Sequence, residues 1–202
     1  MVTTLSLADQ CVTCQAGVVF EFIADRPVLD FVATLAERGT TNSEMLRSPA
    51  DLASWITQSG IVDGKPTLTR AQLEYALAVR EALFGLISAL IDGSNPRPAD
   101  RELVNAAASA APPAVHLSSS GAVQRHGGID AVLAVLANDC LDLFDSPDRD
   151  ALHWCADAKC TRAFVDRSRG HRRRWCGMKG CGDRAKAAAY RARQRETARP
   201  RP

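Results

Sequence analysis

The sequence is poor in aromatic residues and contains no long apolar segment. Phe, Trp and Tyr make up 5% of its 202 residues, while Ala and Leu are abundant, which favours helices over a β-sandwich. No apolar run approaches the roughly 20 residues that cross a bilayer, so we expect no membrane partner. The N-terminus lacks a basic stretch followed by an apolar one. We therefore expect a cytoplasmic protein, whose cysteines are reduced thiols or metal ligands rather than disulfides.

Motifs of catalysis are also missing from the sequence. It shows no paired nucleophile and base, no glycine-rich phosphate loop and no open metal site. These absences predict that the protein is not an enzyme. The hydrophobic fraction of 46% and the charged fraction of 24% are ordinary for a globular protein.

The small net charge of +2 conceals a strong asymmetry along the chain. Residues 1–152 hold 10 basic and 19 acidic side chains, a net charge of −9. Residues 153–202 hold 15 basic and 4 acidic side chains, a net charge of +11, and 12 of the 15 cations are Arg. A basic segment on an acidic domain indicates a polyanionic partner. The alternative is that the two parts attract each other and dock.

Four of the seven cysteines form two short-spaced pairs, C-x(4)-C, separated by fifteen residues: Cys155, Cys160, Cys176 and Cys181. Two such pairs joined by one loop suit a tetrahedral zinc ion, since each pair occupies one edge of the coordination sphere. His171 is the rival ligand, but it lies in the middle of the loop, outside the paired pattern. Four thiolates leave no open coordination position, so we predict one structural Zn²⁺ rather than a catalytic one.

A strong helix sequence, RAKAAAYRARQRE, follows the last cysteine pair. Asp183 is a natural N-cap for it, and alanines keep its shaft narrow. A narrow basic helix that starts at a metal site can enter a major groove and bind phosphates, so double-stranded DNA is the expected partner. The predicted nucleic-acid contacts are Arg172, Arg173, Arg174, Arg184, Lys186, Arg191, Arg193 and Arg195, with Arg184 and Lys186 as the candidates for base edges.

Before the zinc ligands, apolar spacing predicts a helical domain with a small β element. The predicted elements are a short strand over 18–24, helices beginning at Pro27 and Pro49 and over 70–92, 98–111 and 129–145, and a β-hairpin within 114–127. The fold class is therefore mainly α (α+β), with a small four-cysteine zinc module and a C-terminal basic helix after the helical part.

Three other features of the N-terminal part have two interpretations each. Arg80 interrupts an apolar helical stripe; it either pairs with an acid or binds an anionic ligand in a pocket. Cys140 lies in a similar stripe, which indicates a small core residue. Cys11 and Cys14 form a C-x-x-C, but no βαβ pattern follows them, so we interpret residues 1–17 as a flexible tail.

The segment RSRGHRRRWCGMKGCGDRAKAAAYRAR resembles the CGNR zinc finger, named after its Cys-Gly-Asn-Arg signature. Asp183 stands where the signature has Asn, so a contact made by that side chain needs its own test. The preceding chain, from FEFIADRPVLDFVATLAER to VREAL, is similar to the ABATE domain that usually accompanies this finger. The matching finger positions are the four cysteines, Phe164, Asp166, Ser168, Arg173, Arg174, Trp175, Gly182, Arg184, Ala185 and Lys186.

This resemblance implies an ABATE-like domain over 18–150 and a CGNR-type finger with its basic helix over 151–198. Family members are generally described as bacterial, often stress-related, transcription regulators. We therefore expect a zinc-dependent DNA-binding regulator whose N-terminal domain senses a small-molecule effector or forms a homodimer. The alternative is a zinc-stabilised protein–protein interaction module that does not bind DNA.

Overall fold

The computed structural model describes residues 18–197, with side chains through Arg195. We call residues 18–151 the body and residues 152–197 the zinc module. The body is mainly helical, as predicted, with two small antiparallel sheets. Its elements are α1 (Pro27–Val32), β1 (Leu35–Ala36), β2 (Ser43–Glu44), α2 (Pro49–Ser59), α3 (Arg70–Asp92), α4 (Pro98–Ala108), β3 (Ala114–Leu117), β4 (Val123–His126), α5 (Ile129–Asp145) and a 3-10 turn (Pro147–Ala151).

The zinc module begins with a short hairpin, β5 (Leu152–Trp154) and β6 (Ala163–Val165). A π-type turn (Met178–Gly182) then leads into α6 (Asp183–Thr197). Asp183 has helical backbone angles, φ −70° and ψ −38°. It therefore lies in the first turn of α6 rather than at the predicted N-cap position, and its carboxylate still complements the positive end of the helix dipole.

The helices of the body begin and end where their local chemistry dictates. Ser48 caps α2 by accepting from the N–H of Asp51. Thr69 and Gln72 form the capping box of α3, each side chain binding the other's backbone N–H. Both helices end at a glycine with positive φ, Gly60 at 69° and Gly93 at 66°, a conformation that glycine adopts without steric cost.

The strand predicted over 18–24 is wrong. Among the described residues this segment joins no sheet, and side chains of the body bind three of its N–H groups instead. Asp30 Oδ1 accepts from the N–H of Ile23 at 3.0 Å and of Ala24 at 3.1 Å, and Gln58 Oε1 accepts from Phe20 at 3.1 Å. The segment is therefore extended, but side chains rather than a neighbouring strand hold it in place.

One apolar core runs through both parts of the molecule. In the body Trp55 is 1% exposed and packs against Phe31, with ring centroids 4.9 Å apart. The same cluster includes Phe164 and Val165 of β6, which are fully buried. The zinc module is therefore packed onto the body through its hairpin rather than attached by a linker.

Backbone hydrogen bonds reinforce this junction. The N–H of Val165 donates to Ala24 O at 3.2 Å, and the N–H of Asp166 donates to Ala151 O at 2.7 Å. These bonds tie β6 to the extended segment and to the 3-10 turn. Within the part of the chain that the structure describes, no helix has the length and apolar character to cross a membrane.

Candidate metal centre and nucleic-acid interface

The four predicted ligands come together in space. The sulfur atoms of Cys155, Cys160, Cys176 and Cys181 all lie within 4.8 Å of one another. Cys176 Sγ is 3.8 Å from Cys160 Sγ and 3.7 Å from Cys181 Sγ. A tetrahedron with Zn–S bonds of about 2.3 Å has edges of about 3.8 Å, so these sulfurs have the spacing of a Zn(Cys)₄ site.

Local structure places each pair of ligands. Cys155 follows β5, and its N–H donates to Arg162 O at 3.0 Å, which extends the β5–β6 hairpin by one residue. Cys160 ends the turn between the strands, where its N–H donates to Asp157 O at 2.8 Å. Cys176 lies two residues before the π-type turn and Cys181 lies within it, and Gly180 of the same turn has a φ of 90°. Glycine is suited to that backbone conformation, because residues with a Cβ rarely adopt it.

The protonation chemistry of the sulfurs also fits a divalent cation. Hydrogen bonding with Cys176 lowers the pKa of the Cys160 thiol to about 5. That same hydrogen bond, together with burial, raises the pKa of Cys176. Four adjacent thiolates repel one another, whereas a bound Zn²⁺ stabilises all four together. The cofactor is one structural zinc ion.

Two N–H donors support this cluster from outside. Arg184 Nη2 donates to Cys181 Sγ at 3.1 Å, and the N–H of Cys176 donates to Cys155 Sγ at 3.4 Å. Arg184 Nε also binds Asp157 Oδ2 at 2.8 Å. His171 is not part of the cluster, since its Nδ1 lies 2.9 Å from Asp166 O. Cys140 is separate as well: burial in α5 raises the pKa of its thiol to about 12.

Arg173 holds the zinc module against the body. Its Nη1 binds Asp25 Oδ2 at 2.8 Å, and its Nη2 donates to Ile23 O at 2.8 Å and to Cys176 O. Its guanidinium also lies over the ring of Phe164, 4.5 Å from the centroid. These contacts occupy the guanidinium, so the structure places this predicted nucleic-acid contact at an internal junction.

The other predicted contacts are distributed differently. Arg172 and Arg174 are exposed on the loop before Cys176. Every side chain from Lys186 to Arg195 is exposed, so no face of this stretch of α6 is buried. Tyr190 on this helix is 58% exposed. Arg184 differs from these residues, since its guanidinium is bound to Asp157 and to a zinc ligand.

Sequence reasoning missed two further arginines that join the zinc module to the body. Arg167 Nη2 binds Asp148 Oδ2 at 2.6 Å. Arg162 Nη1 lies 3.5 Å from Glu21 Oε2. The only signal for them was the acidic charge of the N-terminal part, which does not specify which carboxylate meets which arginine.

Arg80 is buried in the body and pairs with acidic side chains, which is the first of its two interpretations from the sequence. Its Nη1 and Nη2 each bind a carboxylate oxygen of Glu44 at 2.7 Å, and Nη1 also binds Thr34 Oγ1 at 3.1 Å. Its Nε binds Glu81 at 2.9 Å. Arg80 is 2% exposed, and it does not line the cavity between the body and the zinc module.

A cavity of about 350 Å³ lies between the body and the zinc module. Its body side is formed by the extended segment, the end of α1 and β1, and its other side includes three of the zinc ligands. The residues that border it include Ala36, Lys159, Cys160, Cys176, Lys179 and Cys181.

Two family models match the chain in succession. The ABATE model, described as "Putative stress-induced transcription regulator", matches residues 25–147. The CGNR zinc finger model matches residues 152–194. No curated protein matches the chain significantly. The ABATE match alone covers more than half of the 202 residues, and the chain is a member of the ABATE family that carries a C-terminal CGNR zinc finger.

Proposed function

We propose that this zinc protein is a DNA-binding transcription regulator whose DNA-binding element is α6 together with the exposed loop before Cys176. The observation that carries the proposal is the exposure of every side chain from Lys186 to Arg195. A helix of this length without tertiary packing is marginal in water. A polyanionic partner that covers its basic side chains would supply the missing stabilisation.

The distribution of cations supports duplex DNA as that partner. Arg172, Arg174, Lys186, Arg191 and Arg195 are exposed and would bind phosphates, whose contacts dominate the affinity of DNA-binding proteins. Lys186 is the better candidate for a base edge, because Arg184 is bound to Asp157 and Cys181. The zinc site fixes the start of α6 and hence the direction of the helix.

The body completes the proposal as the regulatory part, through an effector or by dimerising. Support for dimerisation comes from the β3–β4 hairpin, where Val115 is 64%, Leu117 73% and Val123 50% exposed. These three residues share one face of the two-stranded sheet, according to its register. Catalysis is not part of the proposal, since four thiolates complete the coordination of zinc.

Binding of a labelled duplex to the zinc-loaded chain, measured by fluorescence anisotropy over a salt series, tests this function. We expect affinity to fall with salt with a slope of about −0.9 for each phosphate contact. The double variant Arg191→Glu/Arg195→Glu should reduce the magnitude of that slope by about 2. The matched control Arg101→Glu/Arg149→Glu makes the same change in net charge at exposed positions of the body and should leave the slope unchanged.

No binding at low salt, or equal losses in both double variants, would reject the DNA-binding role. One observation favours a second candidate in that case, a protein interaction module. Arg162, Arg167 and Arg173 of the zinc module already pair with carboxylates of the body, so the exposed arginines are chemically suited to an acidic protein surface.

A further inference from the structure

The cavity between the body and the zinc module ends at the metal ligands. Cys160, Cys176 and Cys181 border it, while Cys155 does not. A small molecule that enters the cavity therefore meets zinc-bound sulfur without any unfolding of the module.

Cys160 is the most exposed of these residues. Cys155, Cys176 and Cys181 are 5–7% exposed, whereas Cys160 is only partly buried. The Cys181 sulfur is also engaged by the Arg184 guanidinium at 3.1 Å. Since attack by a thiolate requires access to its sulfur, Cys160 is the position where a small oxidant reacts first.

A second sulfur is in place to complete the reaction. Cys176 Sγ lies 3.8 Å from Cys160 Sγ, and a disulfide needs the two sulfurs about 2.05 Å apart. The required approach is less than 2 Å. Lys159 and Lys179 are exposed and border the same cavity, so positive charge lies near the point where the reaction would release an oxyanion.

We propose that Cys160 is an oxidation site for hydroperoxides and that Cys176 resolves it into a disulfide. The Cys160 thiolate attacks the peroxide, so that an S–O bond forms, the O–O bond breaks and an alkoxide or hydroxide leaves and takes a proton from water. The Cys176 thiolate then attacks the sulfenic sulfur; the S–S bond forms and hydroxide leaves and is protonated. Two electrons pass from the sulfurs to the peroxide.

This step removes two of the four zinc ligands, and the ion is released. Cys176 precedes the turn that leads into α6 and Cys181 lies within it, so the start of α6 loses its anchor. Oxidation at this site therefore releases the start of the helix from the zinc module. It does not depend on the DNA-binding role, since the reaction concerns only the zinc ligands and the cavity.

The test uses the zinc-loaded full chain treated with hydrogen peroxide in a Cys11→Ser/Cys14→Ser background, which removes the two N-terminal thiols. Released zinc is followed with a chromogenic chelator, and the disulfide is mapped by mass spectrometry after alkylation. We expect one zinc released per chain and a Cys160–Cys176 disulfide, with the buried Cys140 still reduced.

Two matched variants decide whether Cys160 is the site. Cys160→His keeps a zinc ligand at that position and removes the sulfur proposed to react, whereas Cys140→Ala removes a buried thiol outside the zinc cluster. We expect Cys160→His to release zinc at least about tenfold more slowly and Cys140→Ala to react at about the original rate. Equal rates, or a disulfide that lacks Cys160, would overturn the proposal.

A third variant keeps the test valid if a histidine variant fails to bind zinc. Ala36→Phe fills part of the cavity from the body side and leaves all four cysteines in place. Zinc loading is checked first, and peroxide should then release zinc several-fold more slowly than from the unmodified chain. An unchanged rate would show that the oxidant does not arrive through the cavity, and the proposal would fail.

Discussion

The body and the zinc module carry opposite charge and stay folded by different means. The body surrounds a large apolar core that includes Trp55, Phe31 and much of α3 and α5. The zinc module contributes the few core residues of its hairpin and otherwise depends on four cysteines. A small segment of this kind buries too little apolar surface to fold alone, so a metal supplies the remaining stability.

The same comparison explains how the basic charge is used. Arg162, Arg167 and Arg173 face the acidic body and form ion pairs there. Arg172, Arg174 and the cations of α6 that we propose as phosphate contacts face solvent. The excess of positive charge in a sequence therefore does not show how many cations can bind a partner. Some of them neutralise the protein's own carboxylates.

Removal of zinc should have the largest effect, and the effect should differ between the zinc module and the body. Structural zinc contributes about 10–16 kcal/mol in isolated finger peptides, so a chelator or Cys176→Ser should disorder residues 176–197 while the helices of the body remain folded. Amide NMR spectra with and without chelator measure this. Loss of the body's dispersed signals at the same chelator concentration would mean that both parts fold as one zinc-dependent unit.

Neighbouring arginines provide the second test. Arg173→Ala removes the bonds to Asp25 and Ile23 O and the contact with the Phe164 ring, which should lower the free energy of unfolding by about 1–3 kcal/mol. Arg172→Ala should change it by less than about 0.5 kcal/mol. Urea denaturation of both variants measures the difference, and equal losses would contradict the assignment of Arg173 to the junction.

The smallest effect concerns pH and Asp30, which fixes the extended segment at the junction. Burial raises the pKa of Asp30 from 3.8 to about 6, against the opposing N–H bonds of Ile23 and Ala24. The folded state therefore binds more protons than the unfolded state between these pKa values, and stability decreases as pH rises through that window.

Asp30→Asn keeps an acceptor oxygen and removes this titration. Its unfolding free energy relative to the unmodified chain should increase by about 1 kcal/mol from pH 5 to pH 8. Urea denaturation at both pH values measures the change, and zinc loss at low pH affects both proteins alike. A difference that is independent of pH would contradict the raised pKa of Asp30.

The zinc ligands were predictable because their chemistry is encoded in short spacings along the chain. The capping box at Thr69 and Gln72 was equally local. The direction of each arginine was not predictable, since the partner of Arg173 is Asp25, 148 residues away. The 18–24 segment was mispredicted for a related reason, because only the tertiary structure places Asp30 Oδ1 against its N–H groups.

The most direct test of the account is an NMR titration of the ¹⁵N-labelled, zinc-loaded chain with a duplex, followed at the arginine Nε–Hε signals. We predict that signals of Arg172, Arg174, Arg191 and Arg195 shift on binding, while those of Arg173 and Arg184 stay near their original positions. Shifts confined to the body, or equal shifts for Arg172 and Arg173, would contradict the division into junction arginines and DNA-facing arginines.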